Sequence, residues 1–150
     1  MTENLPRRKS IRLPGFDYSQ SGVYFVTICT HKHECIFGEI VDGVMVLNDL
    51  GERVSQKIQE MPQYYNVEIG SYSVMPNHIH FILVIGSTRG STPTIGEYVK
   101  RLKTITSNKH QFWQRNYYEH IVRNESDNNR ITEYIKNNPL NWENDKLYSP

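Results

Sequence analysis

The stretch Met75-Pro76-Asn77-His78-Ile79-His80-Phe81-Ile82-Leu83-Val84-Ile85-Gly86 decides the fold. From 79 to 85 every residue except His80 is apolar, which is typical of a central strand with both faces covered. Because side chains alternate along a strand, His78 and His80 point to one face, while the odd-numbered apolar residues point to the other. Two imidazoles on one face suit a divalent metal, since each offers a ring nitrogen, although two hydrogen-bonded core histidines would also explain them.

Length and composition describe an ordinary globular protein, and we expect a single domain over residues 1–150. The net charge of +1 indicates that any surface for nucleic acid must be local. Two cysteines, Cys29 and Cys35, form no disulfide framework, which favours a cytoplasmic location. Residues 1–10 are too polar for a signal peptide, and no apolar run approaches the ~20 residues that span a membrane.

The order of strand and helix signals predicts an α+β fold. Aromatic and β-branched runs, turn dipeptides and capping patterns mark the elements. The first half of the chain predicts a strand at 23–30, a hairpin of 35–37 with 44–46 across Asp42-Gly43, and a helix capped by Asp49 and Glu52. The second half predicts strands at 67–74 and 79–85, a helix capped by Thr94 and Glu97, and a strand at 117–122. A last helix begins at Ser126 or Asp127 and stops before Pro139. This order suggests a sandwich with helices on one face of a mostly antiparallel sheet, and an active site on the helix-free face.

The last predicted helix carries residues that could complete a site. Ile131, Tyr134, Ile135 and Asn138 are spaced by three and four residues, so they share one helix face. Tyr134 and Asn138 could simply be a core aromatic and a C-terminal cap. Alternatively, Tyr134 offers a nucleophilic hydroxyl, and Asn138 offers an amide oxygen as a third ligand to a metal held by the two histidines. The metal would polarise a phosphodiester while the phenol attacks phosphorus.

Three motifs of the chain resemble the REP-associated tyrosine transposases, a branch of the single-tyrosine HUH transposases of insertion sequences. They are Met75-Pro76-Asn77-His78-Ile79-His80, the run from Trp113-Gln114-Arg115 to Tyr118-Glu119-His120-Ile121-Val122-Arg123-Asn124, and Glu133-Tyr134-Ile135-Lys136-Asn137-Asn138-Pro139. The family pattern also fits an N-terminal segment, Arg7-Arg8-Lys9-Ser10 with Tyr24-Phe25-Val26-Thr27. The resemblance covers residues 7 to 142. It implies a ferredoxin-like domain, with the tyrosine helix near the other face of the sheet. Such a domain cuts single-stranded DNA near an imperfect hairpin, leaving a 5′-phosphotyrosine link and a free 3′-hydroxyl.

The resemblance also implies the roles of individual residues. His78 and His80 would be metal ligands, Tyr134 the nucleophile, and Asn138 the third ligand, at a place that the wider family often fills with glutamine or histidine. Such a site leaves positions open for phosphate oxygens, which suits Mg²⁺ or Mn²⁺. The expected partner is single-stranded DNA with a REP-like hairpin, bound by a monomer or a homodimer away from any membrane. The alternative is a catalytically inactive module that binds structured single-stranded DNA or RNA.

Basic residues form two candidate DNA-binding groups. They are Arg7, Arg8, Lys9 and Arg12 in an extended N-terminal arm at 1–16, and Lys100, Arg101, Lys103 and Lys109 on the helix after Thr94. The arm either stays solvated or contacts phosphates or bases, and in the related branch it recognises a short guide sequence beside the hairpin. The helix group is either a solvated face or a grip on the hairpin stem.

Several other residues have competing interpretations. His31, His33 and Cys35 could line up on one strand face and bind zinc. Tyr117 and Tyr118 are alternative nucleophiles, but their strand offers no neighbouring ligand placed as Asn138 is.

Two further features have no assigned role. His120 and Arg123 match recurrent positions of the family, and they could serve either strand packing or phosphate positioning. The tail at 140–150 is polar, with Trp142 as its only large anchor.

Overall fold

The computed structural model describes residues 22–63, 65, 67–85, 94–107 and 111–149. Arg7, Arg8, Lys9 and Arg12 of the arm, and Lys109, lie outside these ranges, so their roles stay predictions. Within the described ranges the apolar patterns produce six strands and three α-helices.

The elements follow the predicted order. They are strands β1 (Gly22–Cys29), β2 (Gly38–Val41) and β3 (Val44–Leu47), helix α1 (Asp49–Glu60), strands β4 (Val67–Met75) and β5 (His78–Ile85), helix α2 (Ile95–Ser107), strand β6 (Tyr118–Ile121) and helix α3 (Glu125–Asn137). β2 and β3 form a separate hairpin, in which φ is 52° at Asp42 and 76° at Gly43. These positive values are those of the predicted tight turn.

Among the described residues, the main sheet contains four strands in the order β4-β5-β1-β6, and each neighbouring pair is antiparallel. α1 lies between β1 and β4 in the chain, and α2 lies between β5 and β6. This order and these crossovers are the ferredoxin-like arrangement, so the predicted fold class is confirmed.

Helices α1 and α2 cover one face of the sheet. The buried cluster on that face includes Val54, Ile58, Tyr98, Val99 and Leu102 from the helices and Val26, Ile28, Ile79, Phe81 and Leu83 from the sheet. The odd-numbered residues of β5 therefore lie under the helices, as the alternation predicts. Each such side chain contributes roughly 1.5–3 kcal/mol through its burial.

Helix α3 covers part of the opposite face. Its buried contacts join Ile131 and Ile135 to Val23, Ile82 and Val122. The order of elements in the sequence had suggested that the face carrying the histidines is free of helices. This expectation is wrong, because α3 packs on that face. The apolar side of α3 packs there, which brings the tyrosine helix onto the histidine face.

Two helix starts differ from the sequence prediction by one residue. Asn48 caps α1 by accepting a hydrogen bond from the Gly51 N–H at 2.9 Å, and the predicted cap Asp49 is already helical. α3 begins one residue before Ser126 because Asn124 caps it. At α2 the predicted capping box is present. None of the helices in the described ranges is long and apolar enough to cross a membrane.

Candidate active site

A two-residue turn and the central strand position both histidines. The Pro76-Asn77 turn pairs Met75 of β4 with His78 at the start of β5. On the other side of β5, His78 and His80 lie opposite Cys29 and Thr27 of β1. Both imidazoles are buried, and their strand is paired on both edges, so the sheet register fixes their positions.

Hydrogen bonds orient the two imidazoles toward each other. His78 Nδ1 lies 2.7 Å from Asn77 Oδ1, and His80 Nδ1 lies 2.9 Å from Thr27 Oγ1. The Asn77 amide nitrogen donates to Leu147 O at 2.7 Å, so its Oδ1 is the acceptor for His78 Nδ1–H. The two Nε2 atoms are then 3.0 Å apart, and their lone pairs would repel unless a proton or a cation lies between them.

The electrostatic surroundings keep both rings neutral at physiological pH. Burial lowers the pKa of His78 to about 4, against opposing effects of Asp145 and Asn138. Burial also lowers the pKa of His80 well below its ordinary value, and the neighbouring His78 adds to this shift. Neutral imidazoles carry the free lone pairs that metal ions bind.

Asn138 brings an amide oxygen to the histidine pair. It directly follows α3 and is 1% exposed. Its Nδ2 donates to Asp145 Oδ2 at 2.8 Å, whereas its buried Oδ1 has no hydrogen-bond partner in the described part of the chain. An unsatisfied buried amide oxygen is costly, and a cation beside the Nε2 atoms would satisfy it. The two sequence interpretations of Asn138 are therefore compatible, because it ends the helix and faces the site.

Asp145 joins this group, which the sequence interpretation missed. Its carboxylate and a nitrogen from each of His78 and His80 all lie within 4.8 Å of one another. The carboxylate oxygen Oδ2 is 4.0 Å from His78 Nε2, and the side chain is 1% exposed. Asp145 lies in a polar segment without periodicity, so no local signal could have revealed it.

The C-terminal segment folds back over the histidines, and Trp142 anchors it. Trp142 is buried, with its ring centroid 6.2 Å from that of His78, and Tyr148 packs on it at 5.1 Å. Leu147 closes the segment through its carbonyl, which accepts from Asn77, and its N–H, which donates to Asp145 Oδ1 at 2.8 Å. The tail is thus part of the site.

Tyr134 stands beside the histidine pair at the edge of solvent. Its ring centroid is 5.4 Å from that of His80 and 6.1 Å from that of Phe25, and the residue is 43% exposed. Burial, with a further contribution from Asp145, raises the pKa of the Tyr134 hydroxyl, so the phenol is protonated at pH 7. A half-exposed phenol next to buried imidazoles is accessible to a phosphodiester.

The competing tyrosines lie elsewhere. Tyr117 lies on the opposite face of the sheet, where it lines a cavity of about 400 Å³ with Tyr24 and Glu119. Tyr118 lies on the histidine face but opposite Thr27, with β1 between it and His80.

The structure does not bring His31, His33 and Cys35 together as a zinc site. His31 and His33 lie in a short 3₁₀ turn, with φ at 55° in both Lys32 and His33, and Cys35 is exposed beyond it. Among the described residues, the metal-capable cluster of His, Cys, Asp and Glu is the one at His78.

The predicted basic residues on α2 differ in how free their charges are. Lys100 and Arg101 are exposed, on the layer opposite the histidine face. Lys103 is not a free surface cation, because its Nζ donates to the carbonyls of 114, 115 and 116 at 2.8, 3.0 and 3.3 Å. Its charge holds the loop before β6, which weakens its candidacy for DNA.

His120 and Arg123 both meet Asp127 at the start of α3. His120 Nε2 is 3.8 Å from Asp127 Oδ2, and the Arg123 N–H donates to the same oxygen at 3.1 Å. Arg130 also pairs with Asp127, and its side chain is 67% exposed. Asp127 therefore contacts the His120 imidazole, the Arg123 backbone N–H and the Arg130 guanidinium about two turns before Tyr134.

Comparisons with known proteins give the family. A sequence model described as "Transposase IS200 like" matches residues 24–138. An uncharacterized protein of Haemophilus influenzae is 41% identical over 167 residues, covering 94% of this chain and 93% of that protein. A second Haemophilus influenzae protein, named provisionally as a REP-associated tyrosine transposase, is 20% identical over 138 residues, covering 83% and 73%. A solved structure of a REP-associated tyrosine transposase bound to a REP hairpin matches with a TM-score of 0.61 at 22% identity, covering 93% of this chain and 73% of that one.

The ferredoxin-like fold is that of the related solved structure, and the family model that matches residues 24–138 describes transposases. The chain belongs to the IS200-like transposase family. Its resemblance to REP-associated tyrosine transposases, predicted from three motifs, is confirmed.

Proposed function

We propose that the protein is a metal-dependent transposase that cleaves single-stranded DNA near a hairpin through a 5′-phosphotyrosine intermediate and rejoins the strands. The observation that carries this proposal is the approach of Tyr134 to the histidine pair, with ring centroids of Tyr134 and His80 5.4 Å apart. A half-exposed phenol beside buried neutral imidazoles is an arrangement for phosphoryl transfer rather than for packing alone.

The ligand set that we propose is His78 Nε2, His80 Nε2 and Asn138 Oδ1, with the Asp145 carboxylate as a further ligand. Three observations support it: the facing Nε2 atoms, the unsatisfied Asn138 oxygen, and a carboxylate within 4.8 Å of both rings. A mixed nitrogen and oxygen set with one carboxylate suits Mn²⁺ or Mg²⁺. The bound ion supplies Lewis-acid polarisation of the phosphate and neutralises developing charge.

The chain's own residues carry the transfer step. Tyr134 Oη attacks phosphorus, the new O–P bond forms, the bond from phosphorus to the 3′ oxygen breaks, and that oxygen takes up a proton as a 3′-hydroxyl. The phenolic proton leaves toward solvent, which the exposed side of Tyr134 allows. Rejoining reverses the step, since a 3′-hydroxyl attacks the phosphotyrosine. Asn77 and Thr27 keep the imidazoles oriented throughout.

The substrate that we propose is single-stranded DNA carrying an imperfect, REP-like hairpin. The related solved structure is of a transposase bound to a REP hairpin, which supports this substrate class. Arg7, Arg8, Lys9 and Arg12 of the arm are proposed to contact the flank of the hairpin. The exposed Lys100 and Arg101 are proposed to contact its stem.

A covalent adduct tests this function. Single-stranded oligonucleotides from the sequences flanking the gene are incubated with the full chain and Mn²⁺ or Mg²⁺, then separated under denaturing conditions. Wild type is expected to form an adduct, whereas Tyr134→Phe forms none and keeps its hairpin affinity, because only one hydroxyl is lost. Tyr148→Phe, at another exposed tyrosine, is the matched control and should keep the adduct.

Three outcomes would contradict the proposal. An adduct retained by Tyr134→Phe would move the nucleophile elsewhere. Undiminished cleavage by His78→Ala or in excess chelator would remove the metal from the reaction. Hairpin binding without any adduct from wild type would identify the inactive binding module instead.

A further inference from the structure

The edge strand β6 presents an aromatic side chain to the histidine face. Tyr118 lies opposite Thr27 in the register of β6 and β1, and cross-strand partners point to the same face. Thr27 in turn contacts His80 through Oγ1, so Tyr118, Thr27 and His80 form one row across the sheet. Two strand spacings place Tyr118 about 10 Å from His80.

Tyr118 is exposed where packing would bury an aromatic ring. The residue is 59% exposed, compared with 43% for Tyr134 and 38% for Tyr148. Its neighbour Tyr117 points to the other face and lines the cavity there with Glu119. In the described part of the chain no aromatic ring packs on Tyr118, so packing does not explain the residue.

A second row on the same face leads from β6 to the nucleophile. His120 lies opposite Phe25, and the Phe25 ring lies 5.2 Å from His80 and 6.1 Å from Tyr134, centroid to centroid. His120 and Arg130 both meet Asp127, and both side chains are exposed at 48% and 67%. Aromatic rings, the His120 imidazole and the Arg130 guanidinium therefore share the region between β6 and Tyr134, and surfaces that bind single strands combine aromatic and basic side chains.

We propose that Tyr118 stacks on an unpaired nucleobase of the single strand, close to the phosphate that Tyr134 attacks, while His120 and Arg130 contact the phosphates between. This inference rests on the proposed function. The separation of about 10 Å between Tyr118 and His80 corresponds to about three stacked nucleotides, and to fewer when the DNA strand is extended. Stacking tolerates any base, so Tyr118 would hold the strand in place without selecting its sequence.

The small net charge of the chain favours a contact that does not depend on charge. With a net charge of +1, the protein offers little overall attraction to a polyanion. Stacking adds affinity that depends little on salt, whereas phosphate contacts weaken as salt rises. The contributions of Tyr118 and Arg130 to DNA affinity should therefore respond differently to ionic strength.

Fluorescence of 2-aminopurine tests this proposal. The probe is a short oligothymidylate with one 2-aminopurine, placed at successive positions in separate probes, and the protein is the full chain carrying Tyr134→Phe so that no strand is cut. Stacking on Tyr118 is expected to quench the fluorophore at one or two neighbouring positions. Tyr118→Ala should abolish that quenching and weaken binding about 5- to 150-fold with an unchanged salt slope.

Two further variants separate stacking from a structural role. Tyr118→Phe should restore both quenching and affinity, because the ring remains. Val44→Thr changes another exposed apolar residue, on the separate hairpin, and should leave both unchanged.

The possible failures are distinguishable. If Tyr118→Ala keeps the quenching and affinity of its parent, or if Tyr118→Phe behaves like alanine, stacking is overturned while the adduct assay still stands. If the parent binds no single strand and wild type forms no adduct, stacking and the proposed function are overturned together.

Discussion

Replacing Asp145 with asparagine separates a metal ligand from a residue that merely packs the tail. The carboxylate is 1% exposed and accepts two hydrogen bonds, from Asn138 Nδ2 and from the Leu147 N–H, both at 2.8 Å. Asparagine has the same shape but only one accepting oxygen. We therefore expect the metal-free variant to lose about 1 kcal/mol, or about 2–4 °C in Tm.

The effect on metal binding should be larger than this structural cost. Metal at 100 times its Kd stabilises the wild type by about 2.7 kcal/mol, which raises Tm by about 5–11 °C in a domain of this size. Changing a group in contact with the ion weakens binding by at least about 10- to 100-fold. At the same metal concentration the variant then gains only about 0.4–1.4 kcal/mol, or about 1–6 °C.

Thermal unfolding with and without Mn²⁺ measures this difference directly. Each variant is compared with its own metal-free Tm, so the structural cost cancels from the comparison. Asp42→Asn is the control, because Asp42 is exposed at a hairpin turn whose positive φ asparagine tolerates. An Asp145→Asn protein whose Mn²⁺-dependent rise in Tm equals that of wild type would refute the assignment of the carboxylate as a ligand.

Two other predictions concern the start of α3 and the N-terminal arm. The N–H of Arg123 and the guanidinium of Arg130 lower the pKa of Asp127 despite its partial burial, so its stabilisation is present above the ordinary carboxyl pKa and lost as pH falls through the lowered one. Asp127→Asn should cost about 1 kcal/mol in urea unfolding at pH 7 and progressively less in acid, and an equal cost at both pH values would contradict this. Replacing Arg7, Arg8 and Lys9 with alanine should weaken cognate hairpins more than hairpins with a scrambled flank in binding titrations. Equal losses, with a salt slope reduced by about three charges, would leave the arm as an electrostatic contact.

Local patterns predicted the parts of the fold that depend on neighbouring residues. His78 and His80 share a face because alternation is a property of one strand, and the two-residue turn before them fixes its register. The helix periodicity likewise predicted that Tyr134 and Asn138 share a face of α3. The cap of α1 was predicted one residue late and the start of α3 one or two residues late, since adjacent polar residues compete for the cap position.

The rest of the site depends on contacts between distant segments. Asp145 reaches His78 only because the chain reverses after α3 and Trp142 packs over the ring, and no periodic pattern encodes that return. Thr27 could have been recognised from the sequence as a residue of the site. It is a polar residue within an otherwise apolar strand, and it points to the same face as Phe25. A polar residue at a buried strand position commonly has a specific partner, which here is His80.

The attachment of α3 to its own sheet has a genetic consequence. Ile131 and Ile135 tie the helix to Val23 and Ile82 of the same chain, so one polypeptide carries both histidines and the tyrosine beside them. In this arrangement one chain supplies His78, His80 and Tyr134, so we expect that two differently defective copies do not complement each other. We therefore expect a defect in one allele to affect only the molecules that it encodes.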